Sequence, residues 1–203
     1  MRGLVAAQRL AEAGFNAPVP MGAGEERRAA LLRRSFLLSL AVEGSALPDF
    51  LSHCMVLSTA ALELRRKREM LRQLARELRR FHDHGFIHGD LVAGNIFVAL
   101  DDQGSAHFWF MDNDRTRRYP TWLRHGLWRR NLIQLNRLPL AGISLQDRMR
   151  FFHAYVNRAT LGARERRLLR WLEQKTRQRR RQCDAIDTSG SFRKLMRWEA
   201  PAH

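Results

Sequence analysis

Between residues 59 and 112 the hydrophobic pattern changes period once, and that change restricts the folds open to the chain. Leu71, Leu74, Leu78 and Phe81 recur at three- and four-residue intervals with Arg and Glu between them, as in one buried stripe of an amphipathic helix. The helix should run from about Thr59 to His84, with Gly85 closing it. Two short apolar and aromatic runs follow, Asn95–Leu100 (NIFVAL) and Ala106–Met111 (AHFWFM), separated by Asp101-Asp102-Gln103-Gly104. Strand-length runs flanking an acidic turn with a glycine predict a hairpin. A hairpin returns the chain to its starting edge, so Asn95 at its entrance and Asp112 just past its exit should fall at the same end of the two strands.

The residues joining helix to hairpin, His88-Gly89-Asp90-Leu91-Val92-Ala93-Gly94-Asn95, have the spacing H-x-D-L-x-x-x-N of the protein-kinase catalytic loop. Phosphoryl transfer requires a carboxylate beside the acceptor hydroxyl and metal ligands that hold the nucleotide phosphates. Asp90 suits the first role, as the catalytic residue. Asn95 and Asp112 suit the second, as metal ligands that bind ATP through Mg2+. A lone H-x-D triplet arises by chance; here helix, loop, strand, acidic turn, strand and Asp occur in the required order. His88 reads as a buried histidine that supports the loop, and Asp114 as a solvated carboxylate.

The flanking sequence supplies helices and one more strand. Leu4, Ala7, Leu10 and Ala11 predict a short first helix, stopped by Gly14 and kept from resuming by Pro18 and Pro20. Gly22-Ala23-Gly24 reads as a turn connecting strands, and Ser35–Val42 (SFLLSLAV) as a buried strand ending at a hinge, Glu43-Gly44-Ser45. Pro48 sits at the first turn of a helix through Cys54; further helices are expected over Leu123–Leu138, Leu145–Asn157 and Ala163–Cys183. The tail after Thr188 is expected to be loosely held.

The 203 residues carry a formal charge of +16, from 33 Arg and only three Lys (Lys67, Lys175 and Lys194) against 20 acids. Such a surface favours an anionic partner, either a phosphorylated substrate or an acidic membrane, unless Arg merely populates solvated faces. Arg164–Arg181 alone holds nine basic residues and two acids; it suits peripheral contact with anionic lipid or a plain solvated face. No aromatics are spaced as stacking platforms for single strands, so nucleic acid is not expected. No apolar run approaches membrane-spanning length, and the first 14 residues are amphipathic rather than a secretion signal. Cys54 and Cys183 lack metal-ligand spacing and offer no disulfide framework. A cytoplasmic chain, at most peripheral at the inner membrane, is the expectation.

At the level of extended motifs the chain resembles the lipopolysaccharide core kinases. The resemblance is carried by AGFNAPVPMGAGE and RRSFLLSLAVEG within Ala13–Gly44, by Phe110-Met111-Asp112-Asn113-Asp114-Arg115, by Trp128–Leu132 (WRRNL), and by Leu145–Phe152 (LQDRMRFF). It implies an α+β, protein-kinase-like fold with a partial small lobe over residues 1–42 and a mainly helical large lobe over 43–203. It also implies ATP-dependent phosphorylation of an inner-core sugar, heptose or Kdo, with the lipopolysaccharide core saccharide as partner. A protein or small-molecule kinase, or a truncated pseudokinase acting as a binding module, are the alternatives. Three departures stand out. No lysine precedes Lys67 to meet the nucleotide phosphates, Gly3 falls near the position of the glutamate that would pair with it, and Asn131 stands where an aspartate is expected. A small lobe lacking its front part, and an inactive or slow chain, would follow.

Overall fold

The computed structural model describes residues 2–56, 61–120, 122, 126–137, 140 and 142–187. Helix α1 (Arg2–Glu12) is followed by the antiparallel strands β1 (Pro20–Arg28) and β2 (Leu31–Ser39). A two-residue strand β3 (Ser45–Ala46) leads into α2 (Leu47–Val56), and α3 (Ala61–Asp83) is the long amphipathic helix. Next come β4 (Phe86–Ile87), β5 (Ile96–Leu100), β6 (Ala106–Phe110) and β7 (Arg117–Arg118). Helices α4 (Trp128–Leu135), α5 (Leu145–Val156) and α6 (Ala163–Asp187) complete the described chain. The expected beginning of α3 at Thr59, the flanks of α4 at Leu123 and Leu138, the tail after Asp187, and the side chains of Cys54 and Cys183 lie outside the described residues.

Among the described residues three small sheets form: β1-β2, β3-β5-β6 and β4-β7. The hairpin expected at 95–111 is present, with Ile96 opposite Phe110 and Leu100 opposite Ala106. One core joins the elements around it. Leu74, Leu78 and Phe81 of α3 lie against Phe15, Phe86 and Phe110, the last with its ring centroid 4.6 Å from that of Phe81. Burying such side chains contributes roughly 1.5–3 kcal/mol each relative to exposure, so the stripe read from the sequence anchors the hairpin on α3. Helix α5 packs against the same helix, and its N-terminus is closed by a reciprocal cap between Ser144 and Asp147. Asp147 also accepts from Lys67 at 3.0 Å. Burial alone would push its carboxyl up, yet the Lys67 and Ser144 hydrogen bonds hold it below the usual carboxylate range.

Two expectations fail in the first 46 residues. The Ser35–Val42 run does form a strand, β2, but four residues earlier than expected and exposed along its whole length; Phe36 is 61% and Leu38 60% exposed. An apolar run signals β propensity, whereas burial needs a neighbour, and among the described residues only β1 pairs with β2. Gly22 and Gly24 lie inside β1 rather than in a turn. Gly24 faces Phe36 across the ladder, where any Cβ would collide with that ring. The real turn is Ala29-Ala30, both in the left-handed region at φ 48° and 63°. Left-handed alanines carry none of the Asn or Gly signal of a two-residue hairpin loop.

Candidate active site

Local geometry brings the expected residues together. Gly85 ends the α3 segment at φ +85°, with the Tyr119 carbonyl where a Cβ would stand, and Tyr119 N–H donates to Gly85 O at 2.8 Å. The β4-β7 pairing thereby folds the segment after Asp112 back beside the loop. His88 is fully buried between the two halves. Its Nδ1 accepts from Asp90 N–H (3.1 Å), so its Nε2–H donates to the Met111 carbonyl (2.8 Å). Burial pushes this imidazole below its ordinary pKa despite that carbonyl and the nearby charges of Asp112 and Asp90. The histidine is a neutral brace, as its sequence position implied.

Asn95 closes the loop. Its Nδ2 donates to Asp90 O at 3.0 Å, and its own carbonyl accepts from Met111 N–H at 2.9 Å, which ties the loop to the strand end that carries Asp112. Asp112 is exposed, in the left-handed region at φ 53°, ψ 60°, a conformation that Asp tolerates better than most residues. No described residue hydrogen-bonds its carboxylate. Asn113, buried, fixes the turn that follows: Nδ2 donates to Phe110 O and Oδ1 accepts from Thr116 Oγ1 at 3.0 Å. Asp114 is exposed, as expected, and its carboxylate abuts Gly3, so α1 docks on this turn through the absence of a side chain at residue 3.

The donor set fits a magnesium ion chemically. Asn95 spends its amide nitrogen on Asp90 O and leaves Oδ1 as a hard neutral donor, while Asp112 supplies an uncommitted carboxylate; one carboxylate completed by phosphate oxygens and water is the usual Mg2+ arrangement. Among the described residues no cluster of three or more His, Cys, Asp or Glu could hold a metal without such outside ligands.

Sequence reasoning missed what lies behind Asp90. Asn131 of α4 is fully buried. Its Oδ1 accepts from His88 N–H (3.0 Å) and from His82 Nε2–H (3.1 Å), and its Nδ2 donates to His88 O and to Gln134 Oε1. Gln134 Nε2 then donates to Gly89 O at 3.1 Å and reaches Asp90 Oδ1 at a long 3.4 Å. On the other side Tyr155 O–H donates to His82 Nδ1 at 2.9 Å. The acceptors His88 O and Gln134 Oε1 meet a donor here only if residue 131 is an amide, since a carboxylate lacks the two N–H groups. The asparagine that looked like a departure is therefore the hub of the network. Gly89 was missed as well: a Cβ there would collide with Arg115, so the loop and the segment after Asp112 close on a glycine.

Burial lowers the His82 pKa to about 4, with the Asn131 hydrogen bond opposing it. A folded-state value below the unfolded one of about 6.5 means that the unfolded chain binds more protons between the two, so stability falls as pH drops from about 6.5 toward 4. We expect a loss of about 2 kcal/mol between pH 7 and pH 5 from this group. Urea midpoints at the two pH values measure it, and His82→Gln, which still donates to Asn131, should flatten the difference.

An α+β arrangement with an H-x-D-L-x-x-x-N loop braced against a strand-end aspartate is that of the protein-kinase-like fold. More narrowly, the chain belongs to the Lipopolysaccharide kinase (Kdo/WaaP) family, whose model matches residues 1–155. Among solved structures it is similar to "WaaP in complex with acyl carrier protein", with 22% identity, a TM-score of 0.63, and coverage of 86% of this chain and 74% of that one. No curated protein matches it.

Proposed function

We propose that the chain transfers the γ-phosphate of ATP to a hydroxyl of an inner-core sugar, heptose or Kdo, of lipopolysaccharide, with residues 1–42 as a partial small lobe and 43–203 as the large lobe. The observation that carries this reading is the His88 brace, which holds Asp90 and the strand end before Asp112 in one rigid unit. Asp90 orients the acceptor hydroxyl and takes its proton; no described residue competes for its second carboxylate oxygen. Asn95 and Asp112 hold the metal, which when bound offsets the charge of the phosphates. Transfer from radiolabelled ATP to core oligosaccharide, set against a generic protein acceptor, tests the acceptor class; labelling of protein alone would overturn it.

A second reading, a nucleotide-binding module with little turnover, is favoured by the fate of Lys67. This first lysine of the chain is committed to Asp147 and Gly142 O among the helices, so no lysine serves the phosphates from the first 66 residues. ATP binding by calorimetry without measurable transfer would select that reading.

No helix among the described residues is long and apolar enough to cross a membrane. The basic helix α6 suits peripheral association with the anionic inner-membrane surface. Arg166, Arg170, Arg179 and Arg181 are exposed, whereas Arg180 donates to Arg137 O and Asn136 O and serves the fold. Sedimentation with phosphatidylglycerol vesicles should fall off as salt rises past about 0.1 M. Salt-independent association would refute the electrostatic account.

A further inference from the structure

A cleft of about 760 Å3 opens where the end of α3, the start of α4, the end of α5 and the start of α6 meet. It lies on the Tyr155 side of the buried network, away from Asp90. Its walls combine two side-chain classes. Trp128 and Trp171 are half-buried and line the cleft, and Arg129 lies beside both, its guanidinium carbon 5.6 Å from one ring centroid and 5.3 Å from the other. Arg158, Arg164 and Arg167 stand exposed around the mouth. The acids of the cleft do not neutralise them: Asp83 is bonded to Arg79 at 2.8 Å, and no described ion pair joins Glu165 to an arginine. Arg129 Nε is buried with no hydrogen-bond partner among the described residues, a donor that ordinarily finds an acceptor.

Guanidiniums that line one cleft with no described carboxylate bridged to them call for a phosphate, which accepts in the bidentate geometry that Arg offers. Indole side chains in the same lining suit a ring with apolar C–H surface. We propose that this cleft is a second, non-catalytic binding site for a phosphorylated saccharide, with the sugar ring against Trp128 and Trp171 and its phosphate among Arg129, Arg158, Arg164 and Arg167. The ligand chemistry is shared by a free sugar phosphate and by a phosphorylated glycolipid; the site does not rest on the catalytic reading.

Indole fluorescence of the full chain, titrated with glucose 6-phosphate, inorganic phosphate and glucose, tests it. Glucose 6-phosphate should shift the emission with an affinity at least roughly tenfold above either fragment, because both halves of the cleft are then engaged. Trp171→Phe should remove most of the signal, and Arg158→Ala with Arg167→Ala should weaken binding by about tenfold or more at an unchanged melting temperature. Dispersed lipopolysaccharide that displaces the sugar phosphate identifies a lipid-linked ligand, and failure to displace it identifies a free one; both support the site. Equal responses to phosphate and sugar phosphate, binding that survives the double arginine variant, or displacement by ATP would each overturn it. ATP affinity measured in the same preparation reports on the catalytic site separately.

Discussion

Asp90→Asn is expected to lower phosphate transfer by about a thousandfold or more while leaving ATP affinity within roughly twofold, since a positioned base contributes about 10²- to 10⁴-fold. The substitution keeps the size of the side chain, and the contacts that shape the loop run through the backbone of residue 90. Its N–H donates to His88, and its carbonyl accepts from Asn95 and from Val92 N–H. Only the proton acceptor is lost. The measurement is single-turnover transfer to core oligosaccharide beside calorimetric ATP binding. Parallel losses in both would assign Asp90 to nucleotide binding instead.

The halves of this site were legible in the sequence to different degrees. Asp90, Asn95 and Asp112 lie within one short stretch, where hydrophobic period and an acidic turn fix the local path, so their approach follows from a hairpin alone. The support behind them is another matter. Asn131 and Gln134 meet the loop from more than 40 residues away, and nothing local in Trp128–Leu135 signals which polar side chain turns inward. His82 sits next to Phe81 in the α3 pattern with nothing local to set it apart, yet it is buried with both nitrogens engaged. Polar residues on a helix announce burial only through partners that are remote in sequence.

The first 46 residues show the converse limit. β propensity was readable in Ser35–Val42, while exposure was not, because whether an apolar strand is covered depends on a neighbour rather than on its own residues. The glycines of β1 illustrate the same point. A pair of glycines in sequence suggests a turn, yet Gly24 serves the close approach of the Phe36 ring in the facing strand. Gly3 also acquires a physical meaning. With Asp114 against it, α1 approaches the turn after Asp112 closely, and a glutamate at that position would have to displace the carboxylate.

Asp112→Asn is expected to weaken Mg2+-dependent ATP binding by roughly 100-fold, at the top of or above the ~10–100-fold typical of groups that merely orient a metal ligand. Asparagine occupies the left-handed region as readily as aspartate, so the φ of 53° at this position is retained without strain and the turn held by Asn113 and Thr116 stays closed. What disappears is a negative charge and a strong oxygen donor at the exposed end of β6. His88 loses a nearby charge that raises its pKa, so its imidazole is held neutral at least as firmly and the brace to Met111 is kept. The defect should therefore appear as a raised Mg2+ requirement, partly recovered at high metal concentration, with metal-free ATP binding little changed. Titrating Mg2+ at fixed ATP in both forms measures it, and an unaltered metal dependence would remove Asp112 from the ligand set.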